Sequence, residues 1–191
     1  MEKFSCDYKM KTAPNFIALN LEKCLNKAVS SIVLLFIGSD CNVGDSLAPI
    51  CGELIKVNNR KVFLYGSLNI PITAKEAPFM AEFVKKAHPG SLVVAIDAAL
   101  GKSDDVGLIK VHNGGIKPGL GVNKDLPMVG DVSIIGVLAE KTAENGGFKG
   151  VRLNTVYEMA KIIALGLEIF IKNNEKRLNF YKVIGESDKN A

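Results

Sequence analysis

Apolar residues in this chain fall into short unbroken runs and longer helical stripes, and the two kinds of segment alternate. Ser31 to Ile37 is a continuous run rich in branched residues, the pattern of a central parallel strand covered on both faces. Before it, Phe16, Ile17, Leu19, Leu21, Cys24, Leu25 and Val29 keep mostly helical spacing and predict a helix over 14–29, with a polar, mobile lead over 1–13. After it come a glycine-containing loop, 38 to 44, and a helical stripe of Leu47, Ile50, Cys51, Leu54 and Ile55. Lys61 to Gly66 and Ser91 to Ile96 read as two further strands. Between them, Thr73-Ala74-Lys75-Glu76 has the spacing of a capping box ahead of Phe79, Phe83, Val84 and Ala87, and His88-Pro89-Gly90 ends that helix.

Val106 to His112 and Asp131 to Leu138 are the remaining strand candidates. The connection between them, Asn113 to Pro127, is long for a compact domain, and such connections usually carry function. Its glycines, Gly114 to Gly121, permit close approach of a substrate backbone while Pro118 stiffens the segment, although a plain hairpin connection has the same composition. A second capping box, Thr155 to Glu158, precedes the stripe Val156, Met159, Ala160, Ile163, Leu167 and Phe170. The charged tail, 173–191, is expected to fray. Alternating strands and helices predict a mostly parallel sheet with helices on both faces, a three-layer α/β/α sandwich, and 191 residues suit one domain over 1–191.

Composition narrows the function classes. A formal charge of +4, from 24 basic and 20 acidic residues spread along the chain, is too small to argue for a phosphate-tracking surface, so no nucleic-acid partner is expected. No apolar stretch approaches a membrane span and no signal layout opens the chain, which leads to the expectation of a cytoplasmic protein without a membrane partner. Cys6, Cys24, Cys41 and Cys51 form no C-x-x-C unit and read as reduced thiols, and two histidines are too few for a closed structural zinc site.

The candidate chemistry lies in two aspartates. Asp45 follows the run 34–37 through Val43-Gly44, and Asp97 follows Leu92 to Ile96 directly; loops after two buried strands of an open α/β sheet can converge on one crevice. Two carboxylates a few ångströms apart do not both ionise cheaply, so one holds a proton as an acid while its partner takes a proton from water. The plainer reading is that Asp45 caps a helix and Asp97 satisfies turn amides, and spacing alone does not separate the two. Asp40, Asn42 and Ser46 lie in the same loop as candidate substrate contacts, each equally suited to local hydrogen bonds. Cys41 lacks an identifiable base for a thiol mechanism. Gly101-Lys102-Ser103 is not a phosphate loop, because the required upstream glycine would fall at Ile96.

Three blocks, Phe36 to Pro49, Ile96 to Gly101 and Gly115 to Pro127, resemble the YyaC sporulation proteins in order and nearly without interruption, a likeness covering about residues 31 to 150. That family resembles the spore germination protease and, more distantly, the hydrogenase maturation proteases. The resemblance implies a phosphorylase/hydrolase-like sandwich and an atypical aspartic peptidase. It gives the catalytic roles to Asp45 and Asp97, in Gly44-Asp45-Ser46-Leu47-Ala48-Pro49 and Ile96-Asp97-Ala98-Ala99-Leu100. It also matches Lys117, Pro118 and Gly119, taken as substrate-binding without a defined role. The germination protease is longer, with a propeptide absent here. Maturation proteases hold a metal through an acid in each matching loop plus a later histidine, and His112 does not stand in a comparable context.

The expected activity is therefore hydrolysis of a protein or peptide substrate, spore proteins among the candidates, with no cofactor and no resident metal. A non-catalytic binding protein using the same cleft, or a metal-assisted maturation-type protease, is the alternative. A homo-oligomer is left open.

Overall fold

The computed structural model describes residues 3–25, 29–117, 128–142 and 147–187. Among them are six strands and four α-helices: β1 (Lys3–Asp7), α1 (Ala13–Cys24), β2 (Ile32–Phe36), α2 (Leu47–Leu54), β3 (Val62–Tyr65), α3 (Ala77–Ala87), β4 (Leu92–Gly101), β5 (Leu108–Asn113), β6 (Val132–Glu140) and α4 (Leu153–Ser187). The strands form one sheet in the order β1-β5-β6-β4-β2-β3. The ladders joining β3, β2, β4 and β6 are parallel, and those of β5 with β6 and β1 are antiparallel.

Strand alternation sorts the side chains into two cores. Ile32, Leu34 and Phe36 of β2 and Leu92, Val94 and Ile96 of β4 pack with α1, α2 and α4. Leu35, Ile37 and Ala95 face the other way, toward Ile72, Ala77, Ile116 and Val129. Because β2 is buried on both faces, its run is apolar without alternation. The result is the expected three-layer sandwich, with one thick helical layer and one thin layer built from α3 and the base of the β5–β6 connection.

Several segments differ from the sequence reading. The polar lead contains β1, whose buried Cys6 faces the core while the strand adds to β5. Helix α1 stops at Cys24, where Leu25 leaves helical torsions. In α3 the buried positions are Ala77 and Val84; Phe79 is 76% exposed, and Phe83, 49% exposed, packs edge-on against Tyr65 of β3. Only half of the expected capping box forms: the Glu76 carboxylate accepts the Thr73 N–H (3.1 Å), but the Thr73 hydroxyl accepts from the Lys75 N–H and α3 starts after Glu76. At α4 the box does not form. Arg152 receives the first N–H bonds, from Thr155 (3.0 Å) and Val156 (3.3 Å), so Thr155 is already inside the helix.

The tail expected to fray continues α4. Asn173 donates to the Glu22 carboxylate of α1 (2.8 Å), Asn174 is buried and donates to the Phe170 carbonyl (2.8 Å), and Leu178 is only 1% exposed. Apolar residues spaced beyond the end of the obvious stripe are enough to keep the helix docked. Replacing Leu178 by Ala should cost about 2–3 kcal/mol in urea denaturation, as for a packed core position. A loss under about 0.5 kcal/mol would mean that the tail contributes nothing to the core.

Candidate active site

The site is created where β2 and β4 part. They pair in parallel from Ile32↔Leu92 to Phe36↔Ile96, and the last bond between them runs from the Ile37 N–H to the Ile96 carbonyl (2.8 Å). The next amide, Gly38 N–H, turns to the carbonyl of Ile72 (2.8 Å) instead. Gly38 has φ +151°, and a Cβ there would run into the backbone oxygen of Asp45, so both the torsion and the close approach require glycine. On one side of β2 the chain passes through α2 to β3, and on the other it returns through α3 to β4, which makes this gap a topological switch point.

The loop carrying Asp45 is held by its own short bonds. Ser39 N–H donates to the Asp45 carbonyl (3.2 Å), Gly44 N–H to the Asn42 side-chain oxygen (3.1 Å), and the buried Ser46 hydroxyl to the Val43 carbonyl (2.7 Å). The Asp45 carboxylate caps nothing: α2 has no side-chain cap bond. Gly44 accommodates the ring of Phe148, which any Cβ at residue 44 would overlap. That aromatic therefore roofs the loop beside Asp45.

Asp97 is within a strand and not in a loop after one, because β6 accompanies β4 as far as Gly101↔Glu140. It stands one residue beyond the last pairing with β2, and its carboxylate accepts the N–H of Ala98 (2.7 Å), an amide that β2 no longer reaches. Both aspartates face one cleft of about 820 Å³ among the described residues, on the thin side of the sheet. Its walls are mainly apolar, from Ile37, Ile116, Ile135, Met128, Leu100 and Phe148.

This setting raises both carboxylates. Burial, together with the charge of Asp45, pushes Asp97 up to about 8 against the opposing Ala98 hydrogen bond. Asp45 is raised less, by burial, with the Ser39 amide working against the rise. Of the two, Asp97 keeps its proton to higher pH and Asp45 is the better proton acceptor.

The remaining candidates separate clearly. Asn42 lines the cleft, its oxygen engaged by Gly44. Lys117 is at the rim, whereas Asp40 is exposed and not part of the lining. Ser46 is turned into its own loop, so its hydroxyl serves the turn and not a substrate contact. Pro118 and Gly119 lie outside the described residues. Cys41 is exposed, and the other three thiols are buried and in no disulfide. Among the described residues no group of three His, Cys, Asp or Glu side chains could hold a metal ion.

Two lining residues escaped the sequence reading. His112 faces the cleft because Ile109 and Val111 take the opposite face of β5, an alternation the sequence does display. Phe148 has no comparable signal, since it is a lone aromatic in a glycine-rich stretch.

The elevated Asp97 has a consequence for stability. The folded protein keeps a proton that the unfolded chain releases in the ordinary carboxylate range, so stability falls as pH rises from about 4 to about 8 and then levels off. In Asp97→Asn that component should vanish, and the variant should gain on the wild type across the same window in urea denaturation. A stability difference independent of pH would remove this account of Asp97.

Residues 5–166 match the family described as "Protein of unknown function (DUF1256)". The protein YyaC of Bacillus subtilis (strain 168) is 36% identical over 164 residues, covering 83% of this chain and 80% of that protein. Among solved structures, the [NiFe] hydrogenase maturation protease HycI from Thermococcus kodakarensis KOD1 superposes with a TM-score of 0.50 at 18% identity, covering 80% of this chain and 98% of the other. The likeness to HycI establishes a shared α/β fold. With the family match running through every element from β1 to the first half of α4, the chain belongs to the DUF1256 family.

Proposed function

We propose that this protein is a peptidase of the germination-protease type, acting in the cytoplasm during sporulation on a polypeptide such as a spore protein. The observation that carries the reading is that Asp45 and Asp97 face one cleft, where burial raises both carboxyl groups and Asp97 the further. The fold shared with a maturation protease agrees with it, and the spore context comes from the resemblance to the YyaC proteins.

In this mechanism Asp45 accepts a proton from a water molecule as the water oxygen bonds to the peptide carbonyl carbon. Asp97, protonated, hydrogen-bonds the carbonyl oxygen and steadies the charge that grows there. When the tetrahedral intermediate collapses, the C–N bond breaks and the departing nitrogen takes a proton from the pair, leaving an acid, an amine and the starting protonation state. The apolar walls keep bulk water from levelling the two carboxylates.

Asp45→Asn and Asp97→Asn should each lower cleavage of a spore protein by roughly 10²–10⁴-fold while the thermal melt still shows a folded protein. Wild-type activity should fall as pH rises through about 8, where Asp97 loses its proton. Full activity in either variant would remove the mechanism. Capture of an intact partner by the wild type, with no cleavage at any pH, would favour a binding protein that uses the same cleft.

A further inference from the structure

Beyond the two acids, the cleft exposes a piece of unused sheet edge. In β4 the backbone groups alternate between its two neighbours: Leu92 N–H donates to Ser31 (2.9 Å) and the Ile96 carbonyl accepts from Ile37 (2.8 Å), on the β2 side. The carbonyls of Val93 and Gly101 accept from Asp131 and Lys141 (each 2.8 Å), on the β6 side. Even-numbered residues therefore address β2. After Ile96 there is no β2 to address, yet β4 runs on through Gly101 with β6 still paired along its other side. The Ala98 N–H is taken by Asp97; the ladder with β6 shifts register between Ala99 and Leu100, but the Gly101 carbonyl still accepts from Lys141, so by the same alternation the Ala98 carbonyl and the N–H and carbonyl of Leu100 point to the side that β2 has left. Ala98, Ala99 and Leu100 all line the cleft beside Asp97.

Resting on the peptidase reading, we propose that the substrate is bound as an extended polypeptide that adds a short strand along Ala98–Leu100, in the place β2 vacates. An acceptor, a donor and an acceptor in line along a strand match the backbone of an extended chain, and any sequence supplies that backbone. Folded helices have already used their own N–H and carbonyl groups and are not recognised. Selectivity comes from alternate side chains, which a strand added here would direct toward Ile116 and Ile135 on the face that also bears Asp97. Small or apolar residues suit that wall.

The test separates backbone pairing from side-chain recognition. Overlapping short peptides of casein, arrayed and probed with Asp45→Asn, supply a binder, which is remade with a single N-methyl group at each position in turn. Methylation at every second position should weaken binding roughly five- to tenfold, and at intervening positions leave it unchanged. Leu100→Pro deletes the outward N–H while leaving the β6 ladder intact, since a proline is tolerated where a strand's N–H faces away from its neighbour. It should weaken binding to a similar degree, whereas Leu100→Val should bind normally. A flat methylation profile, the absence of any casein binder, or a Leu100→Pro protein that melts normally and binds unchanged would overturn the proposal. If Leu100→Pro does not fold, the methylation profile decides. Alternating sensitivity with no cleavage by the wild type would discard the peptidase reading and keep the added strand, and cleavage with a flat profile would do the reverse.

Discussion

One hydrogen bond marks the limit of everything else: the Ile37 N–H to the Ile96 carbonyl, the last that β2 shares with β4. Up to that point the two central strands are locked side by side beneath helices, and their side chains have no freedom that is not decided by packing. Beyond it the strands separate, and the carboxylate of Asp97 closes at 2.7 Å on the first β4 amide left over, that of Ala98. The cleft, the elevated acid and the bare length of β4 are three results of the same divergence. Doubly wound sheets place ligands at such reversals because that is where the backbone itself opens a crevice.

Keeping a protonatable carboxyl group there runs against stability, since burial disfavours its charge and a second acid faces the same space. Structural side chains rarely persist in such surroundings without a compensating partner, and functional sites are where such perturbed groups gather. The surrounding loop shows where compensation is made. Asn42, Ser46 and Ser39 are spent on short local bonds, so the turn that carries Asp45 is firm although its residues from Asp40 to Val43 are exposed.

Much of this was legible in the residues. The buried run at 32–36 announced a parallel strand, and Asp45 and Asp97 could be singled out from their positions after two such runs. The sequence could not say that β4 outlasts β2, because strand length on one side depends on how far β6 follows, a matter of tertiary pairing. Lys3–Asp7 does alternate, with Phe4 and Cys6 on one face and polar residues on the other, but two apolar positions in a polar lead are a weak signal for an edge strand. The same limit hid α4 beyond Asn173, where a few well-spaced side chains hold a charged segment against α1. Ser46 shows the opposite failure: its type suited a substrate contact, but a buried hydroxyl must find the nearest acceptor, here the Val43 carbonyl.

The bare Cα of Gly44 has one more implication. The ring that rests on it comes from Phe148, about a hundred residues later, just ahead of the helix that packs against both α1 and α2. During synthesis the Asp45 turn leaves the ribosome early, but its aromatic roof arrives only with the last quarter of the chain. A nascent protein therefore carries an unroofed pair of acids until α4 has docked, and domains generally become whole as units. Order of assembly separates the unfinished cleft from the finished one.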